Sequence, residues 1–274
     1  MTMKDGQDTS WRRDSGGAVA RVSGWRDRVL DIVQPQRFVF HHVPKCGGTS
    51  VARALRKRCI LSQATVLPEA SFRAFESYSG GADRQKMLVD VLGLREQMLL
   101  YLMHADVRCI AAHVAFSDIA RNKFAGRYKF VTILRDPVSR FLSNYAWSHG
   151  RTGAHAEISE PFDAFLDTPR AARMGASYVE YFGGQPMSPD ISSAAAIDRA
   201  IGNLTGFDVV GRLDDMAGFR RKLKDEIGLS PRIGHENKAR GARPGLKTTD
   251  LSPAQLDRVR QLCAPDLAVW DAMQ

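Results

Sequence analysis

The segment Phe130–Leu134 constrains the fold of this chain more than any other. Its five residues, Phe-Val-Thr-Ile-Leu, are β-forming and nearly all apolar, which is typical of a parallel strand covered on both faces of its sheet. The run stops at Arg135-Asp136-Pro137, and residues 138–147 then have a helical pattern. A buried strand that leads directly into a helix predicts an α/β unit.

The same order of strand and helix recurs along the chain. We predict strands over residues 38–43, 107–114, 128–134 and 208–211. We predict helices over residues 50–58, 84–103, 138–147 and 216–227, and a last helix that begins after Ser252 as its N-cap. Strands that alternate with helices favour a parallel sheet. The predicted fold class is therefore α/β, with a P-loop-like central parallel sheet, helices on both faces and a single domain.

The composition narrows the class of protein without identifying a partner. Of the 274 residues, 44% are hydrophobic and 25% charged, which is the globular average and excludes wholesale disorder, coiled coil and collagen. No apolar run approaches the roughly 18 residues that a membrane span needs. The 39 Lys+Arg against 30 Asp+Glu give a net charge of +9, which favours an anionic partner. The basic clusters are short and scattered, so charge alone does not separate nucleic acid, a membrane surface and a phosphorylated or sulfated ligand.

Residues 1–24 are polar, contain Gly and Ser, and show no hydrophobic period. We expect them to form a mobile arm ahead of a domain over 25–274. They carry charge but no apolar core, unlike a secretory signal. The four cysteines lie far apart and include no CxxC pair, so we expect reduced thiols in a cytoplasmic protein. The sequence does not fix the oligomeric state.

The first candidate site is the loop Pro44–Ser50, Pro-Lys-Cys-Gly-Gly-Thr-Ser, between a predicted strand and a predicted helix. Glycines let the backbone turn so that several N–H groups point at one anion, and the helix N-terminus adds positive potential. Lys45 adds a mobile ammonium group. The loop is not a Walker A motif, because that motif has its lysine after the last glycine. A phosphate-type site and an ordinary strand-to-helix turn both stay open on this pattern.

The second candidate site begins at Arg135, which leaves the carboxyl end of the buried strand. Ligands of open α/β sheets bind at that end. Ser143 follows eight residues later, two turns into the next helix, where it can share an anion with Arg135. The alternative is a structural pair of Arg135 and Asp136 that closes the strand, with Ser143 on the helix surface.

His113 lies at the carboxyl end of the strand predicted over 107–114. An imidazole with a pKa of about 6.5 suits general base catalysis at neutral pH. From position alone, the alternative is a strand-end histidine bound to a backbone carbonyl. His41 and His42 are adjacent on a predicted strand, so their side chains point to opposite faces and cannot chelate one ion together.

Together these motifs resemble those of the sulfotransferases that use 3′-phosphoadenosine 5′-phosphosulfate (PAPS), most closely the carbohydrate branch of the heparan uronyl 2-O-sulfotransferase type. The resemblance rests on HHVPKCGGTS at 41–50 and FVTILRDPVSRFLSNY at 130–145, in the order expected of the family. AAHVAF at 111–116, FDVVGRLDDM at 207–216 and HENK at 235–238 support it. It implies an enzyme that moves the sulfuryl group of PAPS to an acceptor hydroxyl by in-line displacement, with a saccharide as the expected acceptor.

The resemblance also implies which residues bind the nucleotide. Those of the 5′-phosphosulfate loop are Lys45, Cys46, Gly47, Gly48, Thr49 and Ser50. Arg135 and Ser143 match the pair that holds the 3′-phosphate. Lys238 and Arg240, in the basic loop 235–247, are expected near the same phosphate, although a mobile surface loop explains these residues equally well.

The implied catalytic residues are Lys45 and His113, with His113 as the base. The heparan enzymes have the pattern His-x-His at this position, whereas here Ala111 stands where the first histidine would be. No metal is expected. The eukaryotic members of the family carry a membrane anchor that this sequence lacks, so the resemblance implies a soluble, bacterial enzyme.

Two other functions stay open at this point. A P-loop nucleotide kinase fits a strand–loop–helix anion site, but the lysine precedes the glycines, and Asp136, the nearest candidate ligand for Mg²⁺, is followed by Pro137. A non-catalytic nucleic-acid-binding protein fits the net charge, but the sequence has scattered charge and no nucleic-acid-binding motif. The expected partners are therefore PAPS and an acceptor alcohol, without nucleic acid.

Overall fold

The computed structural model describes residues 25, 27–81, 84–149, 157–184, 189–234 and 245–274. The expected arm over 1–24 lies outside these residues. Five strands form one sheet: β1 (Phe38–His41), β2 (Gln63–Val66), β3 (Cys109–Ala112), β4 (Lys129–Leu134) and β5 (Val209–Arg212). Their order is β2-β3-β1-β4-β5, and every neighbouring pair is parallel. The predicted α/β fold class is therefore confirmed.

Helices connect the strands and follow the last of them. They are α1 (residues 27–33), α2 (Gly48–Arg56), α3 (Pro68–Ser79), α4 (Arg84–His104), α5 (Asp118–Phe124), α6 (Pro137–His149), α7 (Phe162–Leu166), α8 (Pro169–Gly175), α9 (Ser177–Phe182), α10 (Ala194–Thr205), α11 (Met216–Ile227), α12 (Pro253–Leu262) and α13 (Ala264–Ala272). Ser252 is the N-cap of α12, as predicted, because its hydroxyl accepts a hydrogen bond from the Gln255 N–H. The prediction that this helix is the last is wrong, because α13 follows it.

The predicted set of four strands is also incomplete, since it omits β2. The residues of β2 are Gln-Ala-Thr-Val, and only Val66 is buried. The strand lies at the edge of the sheet, where it needs no continuous apolar run. Its sequence therefore resembles a loop.

The order of the strands determines where the sheet can hold a ligand. The chain leaves β1 through α2 and joins β2 on one side, whereas it leaves β4 towards β5 on the other side. Right-handed crossovers place the connecting helices of these two units on opposite faces of the sheet. The carboxyl ends of β1 and β4 thus border the point where the strand order reverses, where open α/β sheets bind ligands. The two candidate loops follow these two strands.

The sheet is covered on both faces. Every residue of β1 and β3 and five of the six in β4 are buried, and the large core cluster surrounds these strands. A second apolar cluster joins α6, α7, α8 and α12 and includes the buried residues Phe165 and Leu166. Within the described ranges, no helix has both the length and the apolar character of a membrane span.

Candidate functional site

The loop after β1 is compact because two of its residues adopt the left-handed backbone conformation. Lys45 has φ 66° and Gly47 has φ 75°, and Gly47 is the N-cap of α2. The conformation is uncommon for lysine. The first turn of α2 contains no acidic residue, and its leading N–H groups have no acceptor within the helix. The loop therefore gathers backbone donors and the positive end of a helix dipole in one place.

Close neighbours explain why both glycines are needed. A Cβ atom on Gly48 would lie 2.0 Å from Cδ2 of His42, and one on Gly47 would lie 2.7 Å from Cδ1 of Leu213. The His42 ring thus packs directly on the backbone at the start of α2. Gly47 has a second requirement, because its positive φ disfavours any residue with a side chain.

The ammonium group of Lys45 lies over the indole ring of Trp147, 5.3 Å from its centroid. Trp147 belongs to α6, and Ser143 lies one turn earlier on the same face of that helix. Helix α6 begins directly after Asp136, whose carboxylate accepts a hydrogen bond from the Ser139 N–H at 2.8 Å. The contact between Lys45 and Trp147 therefore holds the first loop against the helix face that carries Ser143.

Arg135 connects the two candidate sites. Its Nη1 donates a hydrogen bond to the backbone oxygen of Lys45 at 3.3 Å. Its side chain is half-buried, and among the described residues it forms no ion pair. The structural alternative, a pair of Arg135 with Asp136, is therefore not what the structure has. Instead, Asp136 caps α6 and the guanidinium reaches the neighbouring loop.

Tyr178, from α9, contacts both loops. The Arg135 N–H donates to the Tyr178 hydroxyl at 2.8 Å, and the hydroxyl donates to the Arg135 carbonyl oxygen. The Cys46 sulfur lies 3.5 Å from the same hydroxyl oxygen. Burial raises the pKa of the Cys46 thiol and of the Tyr178 phenol, so both groups are neutral at pH 7.

His113 follows β3, the other neighbour of β1. Its ring packs on that of His42, with centroids 3.9 Å apart and planes tilted by 31°. Its backbone oxygen accepts a hydrogen bond from Nη1 of Arg95 at 3.2 Å. Arg95 is buried and also donates to the Ser71 hydroxyl and the Pro68 carbonyl. A buried guanidinium thus holds the backbone at His113.

His41 and His42 are neutral at pH 7. Burial lowers the pKa of His42 to about 4, and the positive charge of Arg56 contributes in the same direction. Burial also lowers the pKa of His41 to about 4. The ring that packs on His113 is therefore uncharged at pH 7.

The structure brings most of the predicted site residues to one edge of the sheet. Lys45, Cys46, the two glycines and Arg135 are joined by the contacts above, and His113 adjoins them through His42. Thr49 is exposed and Ser50 is buried in the first turn of α2. Lys238 and Arg240, and most of the basic loop 235–247, lie outside the described residues.

Sequence reasoning does not identify three residues that contact the site. Trp147 could have been found from the sequence, because it lies one helical turn after Ser143 and therefore on the same helix face. Tyr178 and Arg95 carry no such signal, since each reaches the site from an element distant in the sequence. Only the packing of α9 and α4 brings them there.

The donors at this edge suit an anion. They are an ammonium group, a guanidinium group, hydroxyls and backbone N–H groups, which all offer hydrogen to a negatively charged oxygen. In the part of the chain that the structure describes, no three His, Cys, Asp or Glu side chains are grouped so as to hold a metal ion.

Comparison with known proteins identifies relatives among the sulfotransferases. The chain is 32% identical to heparan-sulfate 6-O-sulfotransferase 3 of Mus musculus and of Homo sapiens over 129 residues, which is 42% of this chain and 24% of either relative. It is 31% identical to heparan-sulfate 6-O-sulfotransferase 2 of Mus musculus over 137 residues, 46% of this chain and 20% of that protein. The match thus spans about a quarter of the relatives' length or less. No protein-family model matches the chain.

These relatives support a place among the sulfotransferases. Their names specify 6-O-sulfation, whereas the motifs most closely resemble the 2-O branch. The branch therefore stays a prediction.

Proposed function

We propose that this protein transfers the sulfuryl group of PAPS to a hydroxyl group of a saccharide. The observation that carries the proposal is the hydrogen bond from Arg135 Nη1 to the Lys45 carbonyl, 3.3 Å long. It joins two cationic loops that follow different strands and are 90 residues apart in the sequence. PAPS carries anionic groups at both its 5′ and its 3′ ends, and two adjacent anion sites of different composition match that arrangement.

The residues present fit such a nucleotide. Gly47 and Gly48 let the loop turn tightly against Leu213 and His42, and the backbone N–H groups at the start of α2 are donors suited to a phosphate. We assign the 5′-phosphosulfate to this cradle and Lys45. We assign the 3′-phosphate to Arg135 and Ser143.

The bound nucleotide supplies the activated sulfuryl group. His113 accepts the proton of the acceptor hydroxyl as its oxygen bonds to sulfur. Lys45 stabilises the negative charge that grows on the 5′-phosphate oxygen as the bond from that oxygen to sulfur breaks. The two residues thus act on opposite ends of one in-line displacement.

The positions of His42 and Arg95 support His113 as the base. The His42 ring is neutral and stacks on His113, and Arg95 fixes the His113 backbone. A ring that packs on His42 and a backbone fixed by Arg95 restrict the orientation of His113, and a restricted base reacts more readily with a bound acceptor.

The acceptor is proposed from the relatives. All three are named for heparan sulfate, and a sulfated saccharide is compatible with the net charge of +9. We therefore expect a hydroxyl on an anionic saccharide, at either the 2-O or the 6-O position.

The test is calorimetric titration with adenosine 3′,5′-bisphosphate, ATP with Mg²⁺, and single-stranded DNA, followed by an assay of sulfuryl transfer from PAPS to heparan-type oligosaccharides. We expect the bisphosphate to bind most tightly, and transfer to persist in EDTA. Tight binding of ATP with Mg²⁺ and none of the bisphosphate would favour a kinase instead. Binding of DNA alone, with a steep loss of affinity in salt, would favour a nucleic-acid-binding protein.

A further inference from the structure

The Tyr178 hydroxyl lies at the junction of the two loops. It accepts a hydrogen bond from the Arg135 N–H at 2.8 Å and donates one to the Arg135 carbonyl oxygen. It also lies 3.5 Å from the Cys46 sulfur. One buried atom therefore contacts the residue that starts the second loop and the residue at the centre of the first.

The rest of Tyr178 is held rigidly. Its backbone N–H donates to Oδ1 of Asp266 at 2.7 Å, and the other oxygen of that carboxylate accepts from Arg140 at 3.1 Å. The Arg140 guanidinium lies over the Tyr178 ring, 5.3 Å from its centroid. Arg140 and Asp266 are completely buried. The phenol is thus attached to a rigid framework formed by α6, α9 and α13 rather than to the loops themselves.

We propose that Tyr178 is a positioning residue that fixes the distance between the two anion-binding loops. It thereby favours a nucleotide with phosphates at both ends over one with a single phosphate. A ligand that bridges two loops binds more tightly when the distance between the loops is already fixed. Otherwise part of its binding free energy is spent on ordering the loops. A ligand that uses one loop gains nothing from that separation. This inference rests on the function proposed above for its choice of ligand.

The chain contains a matched control in Tyr128. Its hydroxyl is also buried and donates to backbone oxygens, at 2.9 Å to Val107 and at 3.4 Å to Met103. Tyr128 directly precedes β4 and therefore lies at the opposite end of the sheet from the loops. Tyr128→Phe removes an equivalent hydroxyl from the core without touching the site.

The first experiment measures the affinities of Tyr178→Phe, Tyr128→Phe and the unmodified protein for adenosine 3′,5′-bisphosphate and for adenosine 5′-monophosphate. We expect Tyr178→Phe to bind the bisphosphate about ten-fold more weakly and the monophosphate within about two-fold, in line with the loss of one or two buried hydrogen bonds. We expect Tyr128→Phe to leave the ratio of the two affinities unchanged. A Tyr178→Phe protein in which both affinities fall equally, or neither falls, overturns the proposal.

The second experiment needs no nucleotide. Hydrogen exchange of the Arg135 amide should become about ten-fold faster in Tyr178→Phe, because that amide loses its acceptor, and should be unchanged in Tyr128→Phe. Unchanged exchange in Tyr178→Phe overturns the proposal even if the bisphosphate binds. If the unmodified protein does not bind the bisphosphate at all, the proposed function fails, and the exchange result alone decides whether Tyr178 holds the loops.

Cys46→Ala provides a variant with a smaller change in the core, in case Tyr178→Phe does not fold. It removes the sulfur contact but keeps the Cys46 backbone and the Tyr178 hydroxyl. We expect the bisphosphate affinity to fall about two- to three-fold with little change for the monophosphate, since a thiol forms only a weak hydrogen bond. Equal effects on both ligands contradict the positioning role.

Discussion

Arg37 and Arg108, at the amino ends of the strands, bind carboxylates, as Arg212 does at the carboxyl end of β5, whereas Arg135, which follows β4, does not. At the amino ends, Arg37 binds the carboxylate of Asp106 at 2.7 Å, and Arg108 binds Asp31 at 2.7 Å. At the carboxyl ends, Arg135 donates to a backbone carbonyl at 3.3 Å. Within the described residues, it forms no ion pair.

The difference separates residues that stabilise the fold from residues that can bind a ligand. The carboxylates that bind a guanidinium neutralise its charge locally, so the arginine attracts an external anion only weakly. Removal of the arginine leaves those carboxylates without their partner. An arginine bound only to a carbonyl keeps its full charge for an incoming phosphate. Removal of Arg37 or Arg108 is therefore expected to lower stability, and removal of Arg135 is expected to weaken binding and turnover.

The largest expected effect is that of His113→Ala at the carboxyl end. General base catalysis is worth about 10²–10⁴-fold, so turnover should fall by that factor while bisphosphate affinity and the melting temperature change little. His104→Ala is the control, because His104 is an exposed residue at the end of α4 near the amino ends of the strands. Turnover of folded His113→Ala within a few-fold of the unmodified protein would remove His113 from the mechanism and make His42 the next residue to test.

Lys45→Met should have the second-largest effect on turnover, after His113→Ala. Methionine keeps an apolar stem over Trp147 but removes the ammonium group, whose interaction with the leaving oxygen strengthens during the reaction. We expect turnover to fall by about 10²–10³-fold and bisphosphate affinity by much less, as measured by steady-state kinetics and calorimetry. Equal losses of free energy in turnover and in binding would make Lys45 a binding residue only.

Arg135→Ala and Arg37→Ala test the comparison directly. Arg135→Ala should weaken bisphosphate binding by about 30- to 150-fold, the value of a charge-assisted hydrogen bond worth about 2–3 kcal/mol, with little loss of stability. Arg37→Ala should lower the free energy of unfolding by about 2 kcal/mol and leave the affinity unchanged. Calorimetry gives the bisphosphate affinity of each variant, and urea unfolding gives its free energy of unfolding. If each variant loses both bisphosphate affinity and stability to the same extent, the distinction between the two arginines is wrong.

The smallest expected effect is on the pH dependence of stability. It comes from His41, which is buried at the carboxyl end of the central strand β1. Burial lowers its pKa to about 4 in the folded protein, against about 6.5 in the unfolded chain. The unfolded state therefore binds the proton first as pH falls, and stability decreases between pH 6.5 and pH 4. His41 should account for about 2 kcal/mol of the loss between pH 7 and pH 5.

Urea unfolding at the two pH values measures this loss, and His41→Gln should reduce it by about that amount. The pH difference is the informative quantity, because the substitution itself also changes the packing against Phe130 and Phe207. An identical pH dependence in both proteins would show that His41 does not titrate differently in the folded and unfolded states.

Much of the fold could be predicted from the sequence, because its central elements carry strong local signals. The strand over 129–134 is apolar at four of its six residues, and the cap at Ser252 is a hydroxyl residue at a helix start. The edge strand β2 has no such signal, since its residues are only partly buried. Local sequence therefore predicts buried strands better than exposed ones.

The candidate site divides in the same way. The sequence by itself determined the loop Pro44–Ser50 and the motif that begins at Arg135, because glycines, a lysine and an arginine next to a strand end constrain the backbone and the charge locally. Only the tertiary structure decided that Arg135 reaches the Lys45 carbonyl, that His42 requires Gly48, and that Tyr178 contacts both loops. These contacts join residues that are far apart in the chain, and their geometry follows from the order of parallel strands and the packing of α9, which no local pattern encodes.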